Sequence, residues 1–209
     1  VKKRTMRKVA QITSYVFHPV FLPTAGLLIV FSLNTYISQT MTTSAQLFIL
    51  AGVFINTVLL PLLFTLFLRW RNLVDSMELH SRKDRLVPFA FSMVLYFINY
   101  YLMKGIPLPE LFYSIFLGSS LAVTMGFILT FYTKISIHMI GMGGLTAGIY
   151  AVAQVYDLPI VGFVMLGLVA SGLVGSARYI LESHDLRQIY FGWITGFLTV
   201  YIPIINGWG

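Results

Sequence analysis

Long apolar runs separated by short polar connections dominate this chain. A helix needs about 20 mostly apolar residues to cross the hydrocarbon of a bilayer. Runs near that length extend from Ser14 to Tyr36, Ala45 to Leu68, Leu86 to Met103, Leu111 to Tyr132, Ile135 to Tyr156, Leu158 to Ile180 and Ile189 to Ile205. In lipid, an open sheet edge leaves backbone groups unpaired, so each run is expected to be a helix. The pattern predicts an all-α integral membrane protein, a helical bundle of about seven transmembrane helices. Residues 1–13 are expected to form a basic cytoplasmic tail and 14–209 a single transmembrane domain.

The polar connections differ in charge. Ile37 to Ser44, Lys104 to Glu110 and the turn at Asp157 carry almost none. The N-terminal tail, the loop Arg69 to Arg85, the turn at Lys134 and the segment Arg178 to Arg187 hold the cations. Threading the spans puts these basic segments on one side, so that of 14 Lys and Arg only Lys104 lies opposite. The positive-inside rule makes the basic side cytoplasmic and places the protein in an inner, cytoplasmic membrane with its C-terminus outside. If some of these cations bind a ligand they are not free votes; Lys2, Lys3, Arg4, Arg7 and Lys8 in the tail vote independently and agree. The tail resembles the start of a signal peptide, but no small-residue cleavage site follows, and a retained first span is expected.

Composition narrows the class further. The chain is 57% hydrophobic and 10% charged, too apolar for a water-soluble domain of 209 residues. Without cysteine there is no disulfide and no thiolate ligand or nucleophile. The net charge of +7 flanks apolar spans, which points to membrane lipids as partners and away from nucleic acid. Gly144 with Gly148 and Gly192 with Gly196 have the four-residue spacing that lets helices approach closely.

All four histidines fall on the basic side. His18, before Pro19, and His80, in the long loop, are expected to be structural. His138 and His184 sit in denser patterns. Lys134, Ser136 and His138 open the fifth span, and Arg178, His184 and Gln188 join the sixth span to the seventh. Gln188 is one helical turn beyond His184, so their side chains can touch. Lys83 and Arg85, with Pro88, open the third span. Cations and a hydroxyl are the parts of a phosphate site, and two histidines allow one nucleophile and one general acid.

The spacing Arg178, five residues, His184, three residues, Gln188 resembles the third signature of the type 2 phosphatidic acid phosphatase superfamily, in which Asp stands at the last position. Ser136-Ile137-His138 is similar to its second signature, Pro-Ser-Gly-His, and Arg85 with Pro88 to a degraded first. Gly192 and Gly196 fit the glycine-rich helix that often follows. The resemblance covers roughly residues 78 to 200. It implies a six-helix core, a phosphohistidine on His184, proton donation to the leaving alkoxide by His138, and phosphate held by Arg178, Ser136 and Arg85, with Lys83 and Lys134 assisting. It also implies no metal, no cofactor, and a phosphorylated lipid or isoprenoid as substrate. The departures are Glu78 for the first lysine, Ile135 and Ile137 for Pro and Gly, Ala177 for Ser, and Gln188 for the Asp that orients the nucleophile. Asp185 points away from His184 on a helix and is not expected to replace that Asp.

Besides a phosphatase, a non-catalytic phospholipid-headgroup binder and a small transporter fit the chain. The transporter would need ionisable groups at mid-membrane, where Asn56, Asn99 and Gln154 are the main polar residues.

Overall fold

The computed structural model describes residues 2–33, 35–74 and 82–209, and their regular structure is entirely helical. Helix α1 (Lys2–Val16) is amphipathic. Its small residues Ala10 and Ser14 are buried, while Met6, Val9 and Ile12 face outward. The chain then breaks at His18, which precedes Pro19 and is extended, with φ −66° and ψ 132°, because a proline disfavours helical backbone in the residue before it. A 3-10 turn at Pro19–Phe21 leads into α2 (Leu22–Ser32). The expected boundary between a tail ending at residue 13 and a span beginning at 14 is therefore crossed by a continuous helix, and the break falls four residues later.

After the short α3 (Tyr36–Thr40), the Thr42 side chain caps α4 (Thr43–Phe54) by accepting from the Ala45 N–H. A π-helical turn at Ile55–Leu59 joins α4 to α5 (Leu60–Trp70). Pro61 follows that turn at once and has no N–H for the preceding carbonyls, which accounts for the widened turn. The remaining helices are α6 (Arg82–Lys104), α7 (Glu110–Thr130), α8 (Ile137–Val155), α9 (Ile160–Ile180) and α10 (Leu186–Asn206).

Among the described residues six stretches are long and apolar enough to cross a membrane: 3–32, 43–70, 84–104, 110–130, 161–180 and 186–206. They make the chain an integral membrane protein. They coincide with six of the expected spans. Large side chains such as Leu166, Val169 and Leu173 on α9 or Leu62, Leu63 and Leu66 on α5 are exposed, as lipid-facing surfaces require. The remaining expected span is present as α8 but is less apolar, so the count of seven is shown for six. Helix α8 is the inner helix. It packs against α2, α7, α9 and α10, and Met142, Ala147, Ala151 and Val152 are fully buried along it. A helix wrapped by protein needs small residues more than greasy ones.

The tightest seam joins α8 to α10. A Cβ at Gly143 would overlap the Trp193 carbonyl, and one at Gly196 would overlap the Ile140 carbonyl. Gly192 lies against the Ser136 carbonyl. The expected packing role of Gly192 and Gly196 is thus seen directly. On α8 Gly144 shares that role, lying against Val200 and the Gly196 carbonyl, the closest approach is at Gly143, and a Cβ at Gly148 would meet only a Val200 methyl at 3.8 Å. A buried polar link strengthens this layer: Trp193 Nε1 donates to Ser171 Oγ at 2.9 Å, and Ser171 lies 3.4 Å from Thr146 Oγ1.

Candidate phosphate site

The basic connections converge at one end of the bundle. Arg7 of α1 pairs with Glu182, between α9 and α10, at 3.1 Å. His184, in the same connection, reaches the Lys134 carbonyl between α7 and α8. The charge of Arg178 acts on His18, Arg85, Lys134, His138 and His184, and that of Arg85 acts on Lys134 and His184. Of the expected site residues, Arg85, Lys134, Ser136, His138, Arg178, His184 and Gln188 therefore lie in one neighbourhood. The Lys83 side chain, and Glu78 and His80, lie outside the described residues.

The spacing between Arg178 and His184 has a local cause. Helix α9 ends in a Schellman motif, with the Ser183 N–H bonded to the Arg178 carbonyl and the Glu182 N–H to the Tyr179 carbonyl. Glu182 takes the left-handed conformation this closure needs, φ 54°. Three residues after Glu182, Asp185 caps α10, accepting from the Gln188 N–H at 2.9 Å. Gln188 Oε1 in turn accepts from the Asp185 N–H at 3.4 Å, completing a capping box. One helix end and one helix start thus hold Arg178 and His184 on the same rim.

His184 is 6% exposed, and its tautomer follows from its neighbours. Nδ1 lies 2.9 Å from the Lys134 carbonyl and 3.1 Å from Gln188 Oε1. A carbonyl oxygen can only accept, so Nδ1 carries the proton and Nε2 keeps its lone pair. Burial pushes the His184 imidazole down to about 4, with the Arg178 and Arg85 charges adding to it and the hydrogen bonds that its Nδ1–H donates to Gln188 Oε1 and the Lys134 carbonyl opposing. The ring is neutral at pH 7. Lys134 is also lowered, first by burial and then by the charges of Arg85 and Arg178. Cations crowded in this way call for an anion.

Ser136 occupies the N-cap position of α8 but makes no capping bond there, and its Oγ is fully buried without a hydrogen-bond partner. His138, in the first turn of α8, donates from Nε2 to the Ser14 carbonyl at 3.2 Å, which leaves its Nδ1 as the lone-pair nitrogen.

His18, expected to be structural, belongs to this cluster. Its ring stands edge-on to His138 with centroids 5.3 Å apart, and its buried Nδ1 has no partner. The His18-Pro19 break that turns the chain beside the start of α8 was its only signal in the sequence. Among the described residues no three His, Asp or Glu side chains are placed to share a metal ion. Comparisons with protein-family models, curated proteins and solved structures find no match for this chain.

Proposed function

We infer that the protein is a membrane-embedded phosphatase that hydrolyses a phosphomonoester or diphosphate of a lipid or isoprenoid through a phosphohistidine on His184. One observation carries the reading: a neutral imidazole with Nδ1–H tied to two acceptors and Nε2 unprotonated, set among Arg178, Arg85 and Lys134. In this reading Nε2 attacks phosphorus, and the guanidinium groups hold the equatorial oxygens and offset the charge that develops on them. Ser136 Oγ and the free N–H groups at the start of α8 add donors. His138 serves as general acid only after its Nδ1 takes up a proton, since its one ring proton is held on Nε2 by the Ser14 carbonyl; water then attacks phosphorus and releases His184. The Lys134 carbonyl takes over part of the orienting role that an aspartate has in the resembling family, and Gln188 supplies the rest without a charge.

The basic end faces the cytoplasm in this reading, because Lys3, Arg4 and Lys8 on α1 follow the positive-inside rule independently of the site. The substrate then comes from the inner leaflet of a cytoplasmic membrane. The test is phosphate release from phosphatidate, a phosphatidylglycerophosphate and prenyl diphosphates in detergent with chelator present. Turnover that His184→Ala abolishes is expected, and none above that control on any substrate sinks the reading. The neutral Gln188 favours a second reading, a headgroup binder that does not turn over. It predicts saturable binding of anionic lipid, weakened in Arg178→Ala, with no phosphohistidine trapped.

A further inference from the structure

A cavity of about 180 Å³ lies among the helices of the bundle, with no histidine in its lining. At its upper end it is lined by Pro19, Ile137 and Phe89. The first two adjoin His18 and His138 in the chain, and Phe89 is one turn from Arg85. The lining of α8 continues down through Gly141, Gly144 and Gly148 to Ile149. Twelve residues of helix rise about 18 Å, close to the ~15 Å hydrocarbon depth of one leaflet. A Cβ at Gly148 would meet a Val200 methyl at 3.8 Å and nothing nearer, whereas at Gly141 and Gly144 it would press on Leu22 and Val200.

The far end is different. Phe64 stacks on Phe91, and Gly52 approaches the Met103 methyl, so the segment through the π turn runs antiparallel to α6 and brings Thr57 level with Asn99. Both line the cavity, both are buried, and neither Thr57 Oγ1 nor Asn99 Oδ1 has a hydrogen-bond partner. A hydrocarbon pressed against them would leave both unpaired at a cost. They mark where an apolar occupant ends.

We propose that this cavity receives the single hydrocarbon chain of a phosphate-headed amphiphile, with the phosphate at the cationic rim and the chain end held short of Thr57 and Asn99. The proposal deepens the phosphatase reading and rests on it only for the position of the headgroup. The occupant follows from charge and shape together. The cationic cluster adjoining the Pro19 and Ile137 end selects an anionic head. A volume of about 180 Å³ spread along this depth is wide enough for one chain. A chain leaving the bilayer gains little from a second apolar environment, since lipid is as apolar as the lining. The cavity therefore selects by length and fit and places the phosphorus, and the cations supply the attraction.

The test is photo-crosslinking in nanodiscs with dodecyl phosphate bearing a terminal diazirine, followed by peptide mapping. Crosslinks are expected at far-end lining residues such as Val30, Ile115 and Ile149, displaced by unlabelled dodecyl phosphate and not by butyl phosphate. Gly148→Leu puts a side chain into the space while improving helix propensity. It is expected to cut that labelling about tenfold or more, and Ser119→Phe, from another wall, is the second check. Labelling confined to lipid-facing residues such as Leu166 and Val169 overturns the proposal, as does undiminished labelling in both folded variants. Cavity labelling without hydrolysis leaves the chain site standing and removes the phosphatase reading. Equal turnover of butyl and dodecyl phosphate with no cavity labelling does the reverse.

Discussion

Two helices begin side by side at the basic end, and they treat their first turns in opposite ways. Helix α10 satisfies itself: Asp185 accepts from the Gln188 N–H, and Gln188 reaches back to the Asp185 N–H. Helix α8 has a serine in the equivalent place, but Ser136 makes no capping bond and keeps an unpartnered buried hydroxyl. A capped start fixes what sits beside it, and an uncapped start keeps donors for something else. The first positions His184, and in the phosphatase proposed above the second would hold the phosphate, so that nucleophile and cradle would be divided between two adjacent helix N-termini.

That division can be broken from either side. Removing the nucleophile with His184→Ala is expected to abolish turnover in phosphate-release assays, a loss of about 10³-fold or more, with no phosphoenzyme trapped. On the receiving side, Arg178→Ala is expected to lower kcat/KM by about 10²-fold, and Arg178→Lys to recover only part of it, because an ammonium cannot make the paired contacts of a guanidinium. Acid should act through His184. Its folded value of about 4 lies below the ordinary 6.5, so the unfolded chain binds the extra proton first. Stability is then full above about pH 6.5 and falls as pH drops toward 4, by on the order of 3 kcal/mol if this group acts alone. Unfolding followed between pH 4 and 7 checks it: a slope that His184→Asn does not reduce contradicts the assignment. Ser136→Ala should weaken phosphate binding about tenfold with little change in melting temperature, since the hydroxyl makes no bond within the protein. The smallest effect is expected from Asp185→Ala, about 1 kcal/mol of stability from the lost cap, seen as a lowered melting temperature. If Asp185→Ala costs more turnover than Ser136→Ala, the division between the two starts is wrong.

How much of this is legible without coordinates depends on the range of the interaction. The six apolar spans follow from local composition and are found where expected. The pairing of His184 with Gln188 follows from one helical turn and is likewise found. The Lys134 carbonyl is not legible, because a backbone atom 50 positions away leaves no trace in side-chain identity. The place of His18 beside His138 is not legible for a similar reason. A lone histidine beside a proline has an ordinary interfacial explanation, and only the packing of the first span against α8 brings it to His138. The glycines of α8 show the limit of spacing arguments. Gly144 meets α10 at Val200 and the Gly196 carbonyl, but the closest approach falls one position earlier at Gly143, and Gly148 borders the cavity. Small residues signal that something approaches closely or that space is left; the pattern alone does not say which.

The seam between α8 and α10 has a consequence for motion. With backbone against backbone at Gly143, Gly192 and Gly196, neither helix can slide along the other without driving main-chain atoms together. The offset between Ser136 and His184 is therefore stepped, like the teeth of a gear, and has no smooth adjustment. Elsewhere on the rim, α1 packs along α9 through the buried Ala10 and Ser14 and is tied by the exposed Arg7–Glu182 pair and by the bond from His138 to the Ser14 carbonyl.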